Sequence, residues 1–195
     1  MIGIDLYGYM PELETDRLIL RKLTMRDAAD IFEYSRDPQV AKHVLWEAHR
    51  SISESRLYLR YMLRKYRNCE PASWGIELKS TGKIIGTIGY MWIQSDNAVA
   101  EVGYSLARAH WGKGIMTEAL EAVIAYAFDS LRLNRVEAIH EPDNPASGAV
   151  MRKCGMQFEG RLRQKLCNKG RYVDVDLYAI LKSDYKQMKE QRLRK

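Results

Sequence analysis

Cysteine is scarce in this 195-residue chain: Cys69, Cys154 and Cys167 form no C-x-x-C pair and leave an odd count. That usage argues against a disulfide framework and against a zinc site built on paired thiols, and it fits a reducing compartment. Histidine is equally thin, and His43, His49, His110 and His140 show none of the spacings of metal ligands, so no metal is expected. No apolar run approaches membrane-spanning length, and the opening MIGIDLYGYMPELETDR lacks the basic start and apolar stretch of a secretion signal. The expected location is therefore the cytoplasm. Repeats, linkers and low-complexity segments are also missing, which leaves a single mixed α/β domain over 15–184, an N-terminal extension over 1–14 and a basic C-terminal tail over 185–195.

What is present is a globular composition, 46% hydrophobic and 29% charged, in a chain long enough to bury a core. The net charge of +6 is compatible with an anionic ligand or a nucleic-acid surface. Its excess lies late, in RLRQK (161–165) and KQMKEQRLRK (186–195), where a solvated face and a frayed tail are the ordinary explanation. No RNA-module signature accompanies these runs, so direct nucleic-acid binding is not expected.

Periodicity supplies the element order. DRLILRKL alternates as a half-buried strand, and TMRDAADIFEYSRD offers Thr24 as a helix cap with Asp27 three residues on. Asp37-Pro38 ends that helix and begins a short turn, and SESRLYLRYMLRKY is helical again. SWGIELK, IIGTIGYMWI and AVAEVGYSL, separated by STGK and SDN, read as an antiparallel meander. A helix over 115–131, the strand RVEAIH, a helix over 144–153 ended by Gly155, and two strands joined at Asn168, Lys169 and Gly170 complete the chain.

The stretch AHWGKGIMTEAL (109–120) sets two glycines directly before a helix. A helix N-terminus carries unpaired amides and partial positive charge, and glycines let an anion approach them, so the pattern suits a phosphate as well as a plain turn. It is neither a Walker loop nor a dinucleotide fingerprint, because the four-residue spacing is absent and Thr117 stands where a third glycine would be.

Three stretches in order, AEVGYSL (100–106), HWGKGIMTEAL (110–120) and NPASGAVMRKCGM (144–156), with TDRLILR (15–21) ahead of them, resemble the GNAT superfamily of acyl-CoA-dependent N-acyltransferases. The likeness is to its Rim-type branch, which includes ribosomal-protein N-terminal acetyltransferases, and it spans about 15–184. It implies a mostly antiparallel seven-stranded sheet flanked by about four helices, with a splay between the fourth and fifth strands, and acetyl-CoA as cofactor. The resemblance places the coenzyme A diphosphate on the amides of Trp111, Gly112, Lys113, Gly114, Ile115 and Met116, and the pantetheine beside Gly103, Tyr104 and Leu106. Asn144 would bond the pantetheine, although Asn before Pro145 is also an ordinary helix cap, and Ser147 would stand near the sulfur.

Two positions depart from the wider family: Ala109 offers the phosphates no side chain, and Met151 stands where many members carry a proton-donating Tyr. Ser147 or water would then protonate the thiolate, or it leaves unassisted. Glu101 is the candidate base for the incoming amine, with Glu77 or water in reserve. Cys154 beside Lys153 reads as a packing residue rather than a nucleophile. The expected reaction is acetyl transfer to a primary amine, foremost a protein N-terminal α-amino group. Polyamines or aminoglycosides are the alternative acceptors, for which Glu47 and Glu54 would line an acidic pocket; a non-catalytic RNA- or ribosome-binding module is the alternative of another class. Tyr90, Trp92, Tyr172 and Tyr178 suit either a homodimer contact or the core.

Overall fold

Leu18 and Leu20 alternate with polar neighbours because one face of their strand is buried. In the computed structural model, which describes residues 10–193, a two-residue strand β1 (Leu13–Glu14) pairs antiparallel with β2 (Leu18–Arg21), whose two leucines are fully buried. A 3-10 turn at Met25–Asp27 follows, held by the expected Thr24–Asp27 capping box, and leads into α1 (Ala28–Ser35). Asp37 caps the four-residue α2 (Pro38–Ala41), accepting from the Gln39 amide at 2.9 Å, and α3 (Ile52–Arg67) comes next. The meander is β3 (Ser73–Leu78), β4 (Lys83–Gln94) and β5 (Val99–Leu106). Then come α4 (Ile115–Asp129), β6 (Arg135–His140), α5 (Pro145–Lys153), β7 (Gln157–Asn168), β8 (Arg171–Leu181) and α6 (Lys182–Leu193).

Among the described residues the sheet has eight strands in the order β1-β2-β3-β4-β5-β6-β8-β7, one more than the seven expected, because two residues are too short a run to display a period. Among the described residues six helices replace the expected four or so. One addition is α2, started by Asp37 and Pro38. The other is α6, in which Lys189 and Arg192 pair with Asp129 and Glu121 at 3.0 and 2.6 Å, while Met188 lies so near Gly155 that a Cβ there would fall 2.2 Å from its sulfur. Residues 1–9 of the expected N-terminal extension lie outside the described residues, and 13–14 belong to the sheet.

Two apolar layers flank the sheet. On one face Ile115, Ala119, Leu120, Val123, Ile124 and Ala127 of α4 pack against Ile88, Val102 and Val136 with Met151 of α5 and Cys154 at its C-cap. On the other, Ile31 and Tyr34 of α1 meet Leu59 and Met62 of α3 over Ile84. Among the described residues no helix is long and apolar enough to cross a membrane.

The expected splay lies between β5 and β6, renumbered from fourth and fifth by the presence of β1. These strands run parallel and pair only at Val99↔Arg135, Ala100↔Val136 and Glu101↔Glu137. Beyond that point 102–106 pair with β4 alone and 138–140 with β8 alone, so the sheet forks.

Candidate active site

The glycine pair stands at one limb of the fork. Gly112 and Gly114 adopt φ of +72° and +74°, the left-handed region that side chains with a Cβ resist, which is the physical reason for glycine at both positions. Gly114 is the N-cap of α4 and contributes no side chain to it. The backbone amides of 112–114 donate to no other described residue, and 111–114 are exposed. Ile115 and Met116 bury their side chains in the core, which leaves their main-chain amides as the groups with which they could meet a ligand. The Trp111 indole donates to the Leu106 carbonyl at 2.8 Å and ties the loop back to β5.

A second tie comes from the far end of the sheet. Arg17 donates through Nη1 to the Lys113 carbonyl at 2.9 Å and through Nε to Glu118 at 2.6 Å. Glu118 also accepts from the Thr15 hydroxyl at 2.6 Å and the Arg17 amide at 2.8 Å. Burial would raise the Glu118 carboxyl, but these donors and the Arg17 charge outweigh it and hold it below the usual range. Thr15 and Arg17 belong to TDRLILR, which matched the family pattern without revealing any chemistry. Their partners lie about a hundred residues away, so no local signal could have shown the clamp.

At the base of the fork two carboxylates sit side by side. Glu101 and Glu137 form the last β5–β6 pair. Arg135 holds Glu137 through Nε at 2.6 Å. Burial pushes the Glu101 carboxyl above the ordinary range; the Trp92 indole, which donates to it, pulls the other way, Glu137 adds to the rise, and Lys165 opposes it. A carboxylate raised in this manner is a stronger proton acceptor than a solvated one.

On the α5 limb, Asn144 caps the helix, its Oδ1 accepting from the Ser147 amide at 3.4 Å. The Tyr104 hydroxyl crosses from β5 to lie 2.9 Å from Ser147 Oγ and 3.2 Å from the Ser147 carbonyl. Burial raises the Tyr104 pKa, so the phenol keeps its proton and can support the serine. Tyr104 was expected only as a strand neighbour of the cofactor; its hydroxyl supplies a polar group on the limb where Met151, 1% exposed, is packed away.

Not every expected residue joins the site. Glu77 lies on β3, separated from β5 by β4, and is bound by Arg21 Nε at 2.5 Å, while the same guanidinium also holds Asp27. It is committed to that ion pair and withdraws as the reserve base. Cys154 is buried, donates to the Thr117 carbonyl at 3.5 Å, and has its thiol pushed up to about 12 by burial, in keeping with the packing role expected of it. Tyr90 and Tyr178 are core residues, whereas Trp92 and Tyr172 are exposed.

Sequence reasoning missed three further features. Thr87 Oγ1 lies 3.1 Å from Ser105 Oγ, and the phenols of Tyr34 and Tyr58 hydrogen-bond to the same threonine, making a buried hydroxyl cluster under α1 and α3. His43, Glu141 and Asp143 meet across two loops, with His43 Nδ1 3.0 Å from Glu141 Oε2. A hollow of about 640 Å³ also lies by β1 around Arg21, Thr24 and Asp27, but those polar groups already bond one another.

Bare amides, paired positive-φ glycines and an open strand edge are groups that can bind a diphosphate and an amide-rich arm. Comparison with known proteins identifies the family. The acetyltransferase (GNAT) domain model matches 17–157. The uncharacterized N-acetyltransferase p20 of Bacillus licheniformis is 38% identical over 176 residues, covering 90% of this chain and 99% of its own. The ribosomal protein uS5-alanine N-acetyltransferase of Escherichia coli K12 is 28% identical over 183 residues, covering 89% of this chain and 92% of its own. The crystal structure of the microcin C7 self-immunity acetyltransferase MccE, in complex with acetyl-CoA and AMP, superposes with a TM-score of 0.78 at 25% identity, covering 86% of this chain and 93% of that one. GNAT acetyltransferases use acetyl-CoA, and the chain is an enzyme rather than a non-catalytic module. Because the matched segment contains the glycine loop, the fork and α5 together, the chain belongs to the GNAT family of acetyltransferases.

Proposed function

We propose that the protein transfers an acetyl group from acetyl-CoA directly to the α-amino group of a protein N-terminus. In this reading the main-chain amides of 111–116 hold the diphosphate, and the open edge of β5 at Gly103, Tyr104 and Leu106 aligns the pantetheine arm with Asn144. When bound, the cofactor supplies an activated acyl thioester at the fork. Ser147, backed by the Tyr104 phenol, would offer its hydroxyl to the thiolate as it leaves. A backbone N–H on the open edge of β5 would donate to the thioester carbonyl oxygen, where negative charge develops.

The observation that carries the reading is Glu101, half-buried at the base of the fork with a raised pKa. It accepts the proton that the amine loses, directly or through one water. Such a base suits an α-amino group, whose pKa near 8 leaves roughly a tenth neutral at pH 7; for lysine the neutral fraction is below about one in a thousand. The name of the Escherichia coli relative, which specifies a ribosomal protein's alanine, supports the same class of acceptor.

Thiol release from acetyl-CoA tests the proposal. Steady release with Ser- or Ala-initiated peptides is expected, and none with the same peptides blocked at the α-nitrogen while retaining an internal lysine. Release that ignores the block would overturn the assignment.

A further inference from the structure

On the sheet face opposite α4 a cavity of about 340 Å³ opens between α1, α3 and the 42–51 loop. Its floor is Thr87, whose hydroxyl meets Ser105, and alternation along β5 puts Ser105 on the same face as Glu101. The walls carry four aromatic rings, Tyr34, Trp46, Tyr58 and Tyr61, with Glu47 and Glu54 at the exposed rim. Neither carboxylate forms an ion pair among the described residues, in a chain of net charge +6; Glu54 accepts only from the Arg50 amide at 2.8 Å.

The imidazole in the lining adds no opposing charge at neutral pH. Burial holds the His49 imidazole below its usual range against the pull of Glu54, and its Nδ1 is engaged with Ser55 Oγ at 2.8 Å. The phenols of Tyr34 and Tyr58 stay protonated, because burial raises both. Arg64 and Lys65 lie 5.4 and 5.5 Å over the Tyr61 ring and are the internal competitors for it. Trp46, next to Glu47, has no cation over it among the described residues. Electron-rich ring faces beside unpaired carboxylates are the chemistry that holds an organic cation.

We infer that this cavity takes a positively charged group of the acceptor, an alkylammonium or guanidinium carried alongside the nitrogen that is acetylated; the inference rests on the reading of the chain as an amine acetyltransferase. A neutral or acidic group would leave Glu47 and Glu54 without a counter-charge and is disfavoured by the same geometry. The acceptor is then doubly basic, one nitrogen reaching the fork uncharged while a second cation stays in the ring-lined cavity.

The test compares kcat/KM by thiol release for peptides that share an N-terminal Ser and differ at the second position, Lys, Leu or Glu, with spermidine as a free polycation. A preference of about tenfold for Lys over Leu is expected from one ring contact and one carboxylate acting together, with Glu below Leu. In the Glu47→Gln, Glu54→Gln double variant the Lys-to-Leu ratio falls toward one, and a ratio is insensitive to partial misfolding. Spermidine turning over faster than every peptide would also support the cavity's cation preference and would name a small polyamine as the source. Equal rates for Lys and Leu, or a preference that survives in the double variant, overturns the inference while leaving acetyl transfer to amines intact. A binding measurement covers failure of the chemistry: spermidine should change tryptophan emission saturably, and the change should vanish in Trp46→Phe. With that change present and no thiol released from any amine, the functional reading falls and the cavity assignment stands; without it, the cavity assignment falls.

Discussion

Replacing Gly112 by alanine separates the loop's two properties, its backbone shape and its grip on an anion. An added Cβ at Gly112 meets nothing within 4 Å, so the only intrinsic cost is conformational, that of a non-glycine residue at φ +72°. Gly82, in the β3–β4 turn, has φ +68° and equally open surroundings, which makes it a matched control far from the fork. Both Gly112→Ala and Gly82→Ala should lose about 1 kcal/mol of stability, a fall in melting temperature of roughly 2–4 °C for a chain of this size. Only Gly112→Ala should weaken coenzyme A. A loop that relaxes out of the left-handed region turns at least one amide away from the diphosphate, and one charge-assisted hydrogen bond is worth about 1.5–3 kcal/mol, or roughly ten- to a hundredfold in Kd. Calorimetric titration with coenzyme A reads the affinity, and a thermal shift at saturating acetyl-CoA provides a second measure. At a ligand concentration about a hundred times Kd the wild-type protein should gain about 2.7 kcal/mol, and the variant correspondingly less. If the two variants lose equal stability and Gly112→Ala binds coenzyme A as the wild type does, the amides of this loop do not hold the diphosphate.

Three further outcomes follow from the site. With kcat/KM expressed on the uncharged amine, the rate should fall tenfold per pH unit below the Glu101 pKa, because a protonated carboxyl cannot accept the amine's proton; since burial raises that pKa, the fall begins at a higher pH than for a solvated glutamate. Glu101→Gln should abolish that limb of the profile and lower the rate on the order of a hundredfold, and an unchanged profile would refute the base. Arg17→Ala should raise the KM for acetyl-CoA about three- to tenfold with kcat nearly constant, and Arg17→Lys should recover only part, because an ammonium cannot bridge Lys113 and Glu118 as a guanidinium does. Cys154→Ala should leave kcat within about twofold, since a buried thiol with a pKa of about 12 is not ionised at neutral pH; loss of turnover without loss of folding would point to covalent chemistry instead.

The parts of the site that were legible in the sequence are those fixed by local rules. Two glycines before an apolar helix stripe announce a bend with exposed amides, because the demand for positive φ is a property of single residues. Asn144-Pro145 announces the start of α5, and the alternation around Glu101 announces a strand. The two-residue β1 was not legible, since it is specified by pairing with Leu20 and Ile19 rather than by its own pattern. Glu77 stood in reserve to Glu101 on sequence grounds, and only the fold shows Arg21 and the intervening β4 holding it apart from the fork. Likewise Tyr34, Tyr58 and Trp46 belong to three different segments, and only the packing of α1 and α3 on the sheet gathers them around Thr87.

The three rungs that join β5 to β6 have a mechanical consequence. They stitch the sheet into two leaves, β1 through β5 on one side and β6, β8 and β7 on the other, with no further ladder between them along their diverging lengths. A molecule that lays its own amides along that gap acts as mortar as well as reagent. Saturation with acetyl-CoA would therefore stiffen the seam, and slower amide exchange would extend to β8, a strand that none of the assigned cofactor contacts touches.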